Sequence, residues 1–205
     1  MIRAFVGAGG KTTLIHQQAQ TYRAEGRRVF VTTSTHMFLE EDTLLTDDAE
    51  VILRELNRTG YAMAGIPEGK KIRALSPETY ARVCRHADVV LVEADGSNRK
   101  PIKFPNSTEP IIYDNVEEIV VVCGLHAIGK PLREVAHRPE LVKQCLGVSD
   151  EGVITLAHIR KLVREGYVLP LREKYPDVAV SVYPAGGTAA EADALLRALT
   201  KEGCL

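Results

Sequence analysis

Seven residues near the start of the chain, Gly7-Ala8-Gly9-Gly10-Lys11-Thr12-Thr13, gather three glycines, an alanine, a lysine and two hydroxyls. A run of this kind is suited to one chemistry above others, the holding of a polyphosphate. Phosphate oxygens must be met by backbone N–H groups at close range, and only residues with little or no side chain let the backbone approach. Lys11 brings a full positive charge, a helix N-terminus brings roughly half of one, and the Thr12 hydroxyl offers an oxygen to Mg²⁺. Thr13 is placed to assist at an α-phosphate. The common pattern G-x-x-x-x-G-K-[ST] would put its first glycine where Phe5 stands, so here the glycines crowd against the lysine instead.

Two further segments carry oxygen ligands. Asp88-Val89-Val90-Leu91-Val92-Glu93-Ala94-Asp95-Gly96 reads as a buried strand that ends in two acids and a glycine, at the edge where parallel sheets hold their ligands. Glu93 is the expected metal-side acid, Asp95 the group that orients water or the metal, and Gly96 the backbone N–H beside a γ-phosphate; the two acids are open to exchange of roles. Thr32-Thr33-Ser34-Thr35-His36-Met37 sets four hydroxyls and an imidazole at the end of another strand, within expected reach of Mg²⁺, a γ-phosphate or attacking water. His36 is the candidate for metal or water duty. Beyond Gly96, Ser97-Asn98-Arg99-Lys100-Pro101-Ile102-Lys103-Phe104-Pro105 carries three positive charges and no acid, a segment able to clamp a second anion.

The elements that must position these residues are legible as short apolar runs alternating with helical patterns. Strands are expected at Ile2 to Val6, Val29 to Thr33, Val89 to Glu93, Ile119 to Cys123 and Val178 to Val182, the last four too apolar to face water. Helices are expected over Lys11 to Glu25, Asp47 to Asn57, Ser76 to His86, Pro139 to Leu146, Leu156 to Glu165 and Ala189 to Lys201, with Gly26, Gly147 and Gly166 as stops. Tyr61 to Ala64 and Lys71 to Leu75, around Pro67-Glu68-Gly69, suggest a hairpin at one sheet edge. From Asp95 to Asn115 three prolines and no helical period indicate a long loop, and such loops are usually functional. The expected fold is α/β, with a mostly parallel sheet and helices on both faces, in one domain over residues 1–205.

Composition narrows the classes. With 26 Lys and Arg against 27 Asp and Glu, the net charge of -1 provides no global field for nucleic acid or an anionic membrane, so phosphate binding must be local. Aromatic residues are 5% of the chain, which leaves few platforms for stacking bases. Cys84, Cys123, Cys145 and Cys204 lie far apart without a C-x-x-C pair, as expected of reduced thiols. No apolar run approaches membrane-spanning length, and a cytoplasmic location is the expectation.

The loop, reading G-K-T-T, is similar to the P-loop class of nitrogenase-type, signal-recognition and metallochaperone NTPases. Gly-Ala-Gly-Gly-Lys-Thr-Thr, Thr-Thr-Ser-Thr-His-Met, Val-Glu-Ala-Asp-Gly-Ser with Lys-Pro-Ile-Lys, Asn106-Ser107-Thr108-Glu109-Pro110-Ile111-Ile112, and Gly-Lys-Pro-Leu before His-Arg-Pro-Glu-Leu together resemble the YqeC family. These segments occur in order from residue 1 to about residue 146. The resemblance implies a three-layer P-loop NTPase-like domain and an accessory role for selenium-dependent molybdenum hydroxylases, through maturation of a selenium- or molybdopterin-type cofactor. The expected ligands are ATP or GTP with Mg²⁺; the expected partners are an anionic cofactor or a molybdenum hydroxylase, with a homodimer left open. No Asn-Lys-x-Asp occurs, Glu173-Lys174-Tyr175-Pro176-Asp177 being the nearest approach, so the base stays undecided. Two other readings stand beside the NTPase: a small-molecule kinase or nucleotidyl transferase whose acceptor sits on Ser97 to Pro110, with Asp95 taking its proton, and a nucleotide-gated module that delivers a cofactor without turnover.

Overall fold

Runs of Val, Ile and Leu bounded by glycine or proline form strands because β-branched side chains pack well on a pleated surface. In the computed structural model, which describes residues 1–205, these runs fall into two units interleaved along the chain. The first unit comprises Met1–Phe5, Thr12–Gly96 and Ile111–Glu117; the second comprises Val6–Lys11, Ser97–Pro110 and Glu118–Leu205.

The first unit contains most of β1 (Ile2–Gly7) and of α1 (Lys11–Ala24), then β2 (Val29–Thr33), β3 (His36–Phe38), β4 (Thr43–Leu45), α2 (Ala49–Thr59), β5 (Tyr61–Glu68), β6 (Lys71–Arg73), α3 (Pro77–Cys84) and β7 (Val89–Glu93). Its strand order is β1-β7-β2-β5-β6-β3, with β4 on β5. The β1, β7, β2, β5 and β4 pairings are parallel, whereas β6 is antiparallel to both β5 and β3. Alternation sends Phe30, Ala62, Ala64, Val90 and Val92 to one face, where they join Ile52, Leu53 and Leu56 of α2 and Tyr80 and Val83 of α3 in a core. Val29, Val31, Val89 and Leu91, on the other face, are wholly buried as well. A sheet hidden on both faces explains why these strands read as continuous apolar runs.

Local signals set the helix ends. Asp48 caps α2 by accepting from the Glu50 amide, so the helix starts and ends two residues later than the sequence suggests. Ser76 caps α3 with Pro77 in its first turn, and the helix stops at Cys84 rather than His86. The hairpin is present, but Pro67 and Glu68 pair with Ile72 and Lys71, so the turn is Gly69-Lys70, with Gly69 at φ 61°.

The second unit holds β8 (Ile102–Lys103), β9 (Glu118–Gly124), α4 (Leu132–Val135), β10 (Ala136–His137), α5 (Pro139–Leu146), α6 (Leu156–Val163), α7 (Leu169–Lys174), β11 (Ala179–Ala185) and α8 (Ala189–Lys201). β9 lies parallel to β11 on one side and has the end of β1 on the other. The expectation that the last strand is fully buried fails. β11 is an edge strand, half-buried along most of its length, because only one neighbour covers its backbone. The expected stop at Gly166 fails too. The helix widens into a π turn over Arg164–Val168 and runs on as α7. Gly166 does not take a left-handed conformation; it is small because Phe104 and Pro105 stand 3.0–3.1 Å from where a Cβ would lie.

The long loop after Gly96 has one regular piece, β8, paired in parallel with β10. Both of its lysines have partners within the protein. Lys100 Nζ donates to the Glu134 carbonyl at 2.8 Å. Lys103, with its side chain fully buried, donates to Glu109 Oε2 at 2.9 Å, and Arg138 reaches the same carboxylate at 2.5 Å. Burial alone would raise the Glu109 pKa, but the bonds and charges of Arg138 and Lys103 outweigh it and hold the group down to about 2. This triad ties the loop to β10 and the start of α5.

Two stability outcomes follow. Gly7 has φ +91° and an added Cβ would lie 2.1 Å from the Val122 carbonyl oxygen, whereas Gly26, at φ +76°, faces open space. In urea unfolding, Gly26→Ala should cost about 1 kcal/mol and Gly7→Ala clearly more, since backbone must move; equal losses would contradict the packing. Glu109→Gln should destabilise by about 3 kcal/mol at neutral pH by leaving buried cations uncompensated. Because the folded pKa lies below the usual 4.5, the Glu109 contribution is complete above that pH and fades as pH falls toward 2. The gap in Tm between wild type and variant should narrow over that window, and a constant gap would refute the assignment.

Candidate functional site

The site begins with register. In parallel sheets the strands end at a common edge, and here Phe5 of β1 and Thr33 of β2 both lie opposite Glu93 of β7. Within the first unit, the end of β2 and the acids that close β7 therefore come to one edge of the sheet. The segment after β7 is held on several sides within the first unit. Ala94 N donates to the Phe5 carbonyl at 2.9 Å, and Ile111 N donates to the Ala94 carbonyl at 3.1 Å. The Glu93 carbonyl accepts from Ser34 N at 3.1 Å and from Thr33 Oγ1 at 2.7 Å. So fixed, Glu93 is 7% exposed and Asp95 is fully buried.

Thr12 Oγ1 donates to Glu93 Oε2 at 3.0 Å. This pairs the hydroxyl following the lysine with the acid closing β7, residues 81 apart in sequence. Both groups are hard oxygen donors of the kind Mg²⁺ selects, and a single hydrated ion commonly uses only one or two protein oxygens. The donor set fits a magnesium ion bound partly through water.

Within the second unit, the glycine run has a shape that side chains would destroy. Gly7, Gly9 and Gly10 have φ of 91°, 86° and 146°. A Cβ on Gly9 would stand 2.5 Å from the Gly124 Cα and 2.6 Å from the Pro101 carbonyl, and one on Gly10 would meet Ala185 at 2.9 Å. Ala8 N donates to the Val122 carbonyl at 2.9 Å, so this amide fastens the loop to β9. Lys11, buried at 3% exposure, arches back and donates from Nζ to the Gly7 carbonyl at 2.6 Å. The loop thus closes around its own ammonium group. His137 lies in the same positive field: burial, Arg138 and Lys103 push its pKa below the usual range, with Lys11 adding in the same sense and Glu109 opposing.

The other expected residues are distributed as follows. Thr13 is exposed on α1, and Gly96 is half-buried, with open space where a side chain would project. His36 sits on the edge strand β3 opposite Arg73, and its Nε2 meets Glu68 Oε2 at 2.7 Å, which directs it to the hairpin rather than to Glu93. The hydroxyl row is mostly structural. Thr32 Oγ1 donates to the Ala64 carbonyl at 2.9 Å, Thr33 Oγ1 to Glu93, and Ser34 Oγ to the Ile111 carbonyl at 2.6 Å. Gly186 and Gly187, at φ 68° and 73°, form a plain strand-to-helix turn that ends in the Thr188–Glu191 capping box of α8. Sequence reasoning missed the wall behind the loop, made by Val122, Gly124, Pro101 and Ala185. Its signal is a glycine placed directly after an apolar strand, at Gly124 and again at Gly186.

The sequence is similar to that of known proteins. A family described as YqeC protein matches residues 3–140. An uncharacterized protein YqeC of Escherichia coli (strain K12) is 32% identical over 170 residues, covering 78% of this chain and 66% of that protein, so the match spans just under two thirds of the relative's length. No solved structure matches the chain. No helix is long and apolar enough to cross a membrane. With a glycine run, an acidic strand end and a Lys103–Glu109–Arg138 triad all falling inside the matched residues, the chain belongs to the YqeC family.

Proposed function

We propose that this chain is a magnesium-dependent nucleotide-binding protein of the P-loop kind, with NTPase activity. The observation that carries the reading is the 3.0 Å bond between Thr12 and Glu93, made by the residue that follows Lys11 at the end of a left-handed glycine run. ATP or GTP is the ligand class. The amides from Gly9 to Thr13 and the Lys11 ammonium stabilise the β- and γ-phosphate oxygens once Lys11 leaves the Gly7 carbonyl. Thr12 and Glu93 hold magnesium, which when bound neutralises charge on those oxygens. Asp95 orients the attacking water, and Gly96 offers its amide near the γ-phosphate. His36, paired with Glu68, is left out of this set. The wider task in maturing a selenium- or molybdopterin-type cofactor, or its hydroxylase, follows from the resemblance of the sequence segments.

One observation favours transfer to an acceptor instead of water. A groove of about 340 Å³ lies along Phe104 to Pro110, facing the π turn and α7. Its apolar walls include Pro105, Pro110, Pro170 and Tyr175, and Glu109 and Lys174 supply charge. A small acceptor fits such a space. Incubation with γ-labelled nucleotide and candidate acceptors separates the two: free phosphate marks hydrolysis, and a labelled acceptor marks a kinase.

The test of the main reading pairs two variants. With nucleotide and Mg²⁺ at about 100 times Kd, wild type should gain about 2.7 kcal/mol of stability. Lys11→Ala should lose this gain, measured against its own ligand-free form. Asp95→Asn should keep most of it while phosphate release falls by roughly 100-fold. Equal phosphate release by all three proteins would exclude catalysis.

A further inference from the structure

The four successive hydroxyls at the end of β2 do not share one role. Thr32, Thr33 and Ser34 each donate to a backbone carbonyl, at 2.9, 2.7 and 2.6 Å. Thr35 differs. Its Oγ1 is buried and has no hydrogen-bond partner. Folded proteins rarely leave a buried hydroxyl unsatisfied, and a lone exception is often an atom reserved for a ligand or an ion. Position supports this view, because Thr35 N donates at 3.0 Å to Thr33 Oγ1, the same hydroxyl that donates to the Glu93 carbonyl. The backbone of residue 35 is therefore tied through one hydroxyl to the backbone carbonyl of Glu93, the residue whose carboxylate accepts from Thr12.

We propose that Thr35 is a further ligand residue, its hydroxyl oxygen joining Thr12 and Glu93 in holding the magnesium ion of a bound nucleotide, directly or through a metal-bound water. This rests on the nucleotide-binding reading. Magnesium seeks six oxygens in near-octahedral geometry and retains several waters. A hydroxyl can coordinate it by a lone pair or accept from its water. Thr12 comes from α1 and Glu93 from β7; Thr35 comes from the bend between β2 and β3. The unsatisfied oxygen makes the ligand-free site slightly unfavourable, and binding relieves that.

The experiment compares wild type, Thr35→Ala, Thr35→Ser and Lys11→Ala. Thermal unfolding without ligand comes first: Thr35→Ala should leave Tm unchanged or raise it, because no bond is lost. A drop restored by Thr35→Ser would show a structural hydroxyl and overturn the proposal. Binding of a non-hydrolysable nucleotide is then measured with Mg²⁺ and with EDTA. Thr35→Ala should bind about 10-fold more weakly with Mg²⁺ and equally well in EDTA, and Thr35→Ser should recover the wild-type value. An equal loss in both conditions would make the contact one to phosphate, not metal, and no loss would remove Thr35 from the site; either overturns the inference. If Lys11→Ala abolishes binding while Thr35→Ala has no effect, only this inference fails. If wild type binds no nucleotide, the broader reading fails with it.

Discussion

Parallel register is the constraint on which the rest depends. Because Phe5, Glu93 and Thr33 stand level, the hydroxyls that end β2 and the acids that close β7 reach one edge of this unit's sheet together. A slip of one residue would send Glu93 to the opposite face and break its pairing with Thr12. The backbone bonds from Ala94, Ser34 and Ile111 guard against such a slip, and the burial of Val89 to Val92 on both faces resists it further.

The second constraint is close approach. The glycine run is held by contacts with Val122, Pro101 and Gly124 that no side chain could share. The buried Lys11 ammonium donates to the loop's own Gly7 carbonyl, so the charge meets a hydrogen-bond acceptor within the loop itself.

Polar groups beyond the glycine run serve the scaffold in different ways. Lys103, Glu109 and Arg138 form a triad largely withdrawn from solvent, which fixes a loop that would otherwise have little regular structure. Asn98, Arg99 and Arg138 adopt left-handed backbone conformations in the same unit, a strain that persists only where surroundings over-determine it. Hydroxyls at the end of β2 sort likewise, with three serving carbonyls and Thr35 left buried without one.

Much of the architecture was readable from residues alone. The alternation of apolar runs and capped helices located β1, β2, β7, β9, α5 and α8 because strand and cap preferences act over a few neighbouring residues. Edge strands β3 and β4 escaped notice since three-residue strands carry too little pattern, and Gly166 lies in a π turn packed closely against Phe104, some 60 positions away. The chain's own letters determined that a glycine-rich loop, an acidic strand end and a hydroxyl row exist. Only the tertiary structure decided their use: that Thr12 meets Glu93, that His36 turns to Glu68, and that Lys103 is buried with Glu109. The reason is that local sequence sets conformation over a turn or a strand, whereas partnership between distant side chains depends on register and burial, which exist only after the sheet has formed.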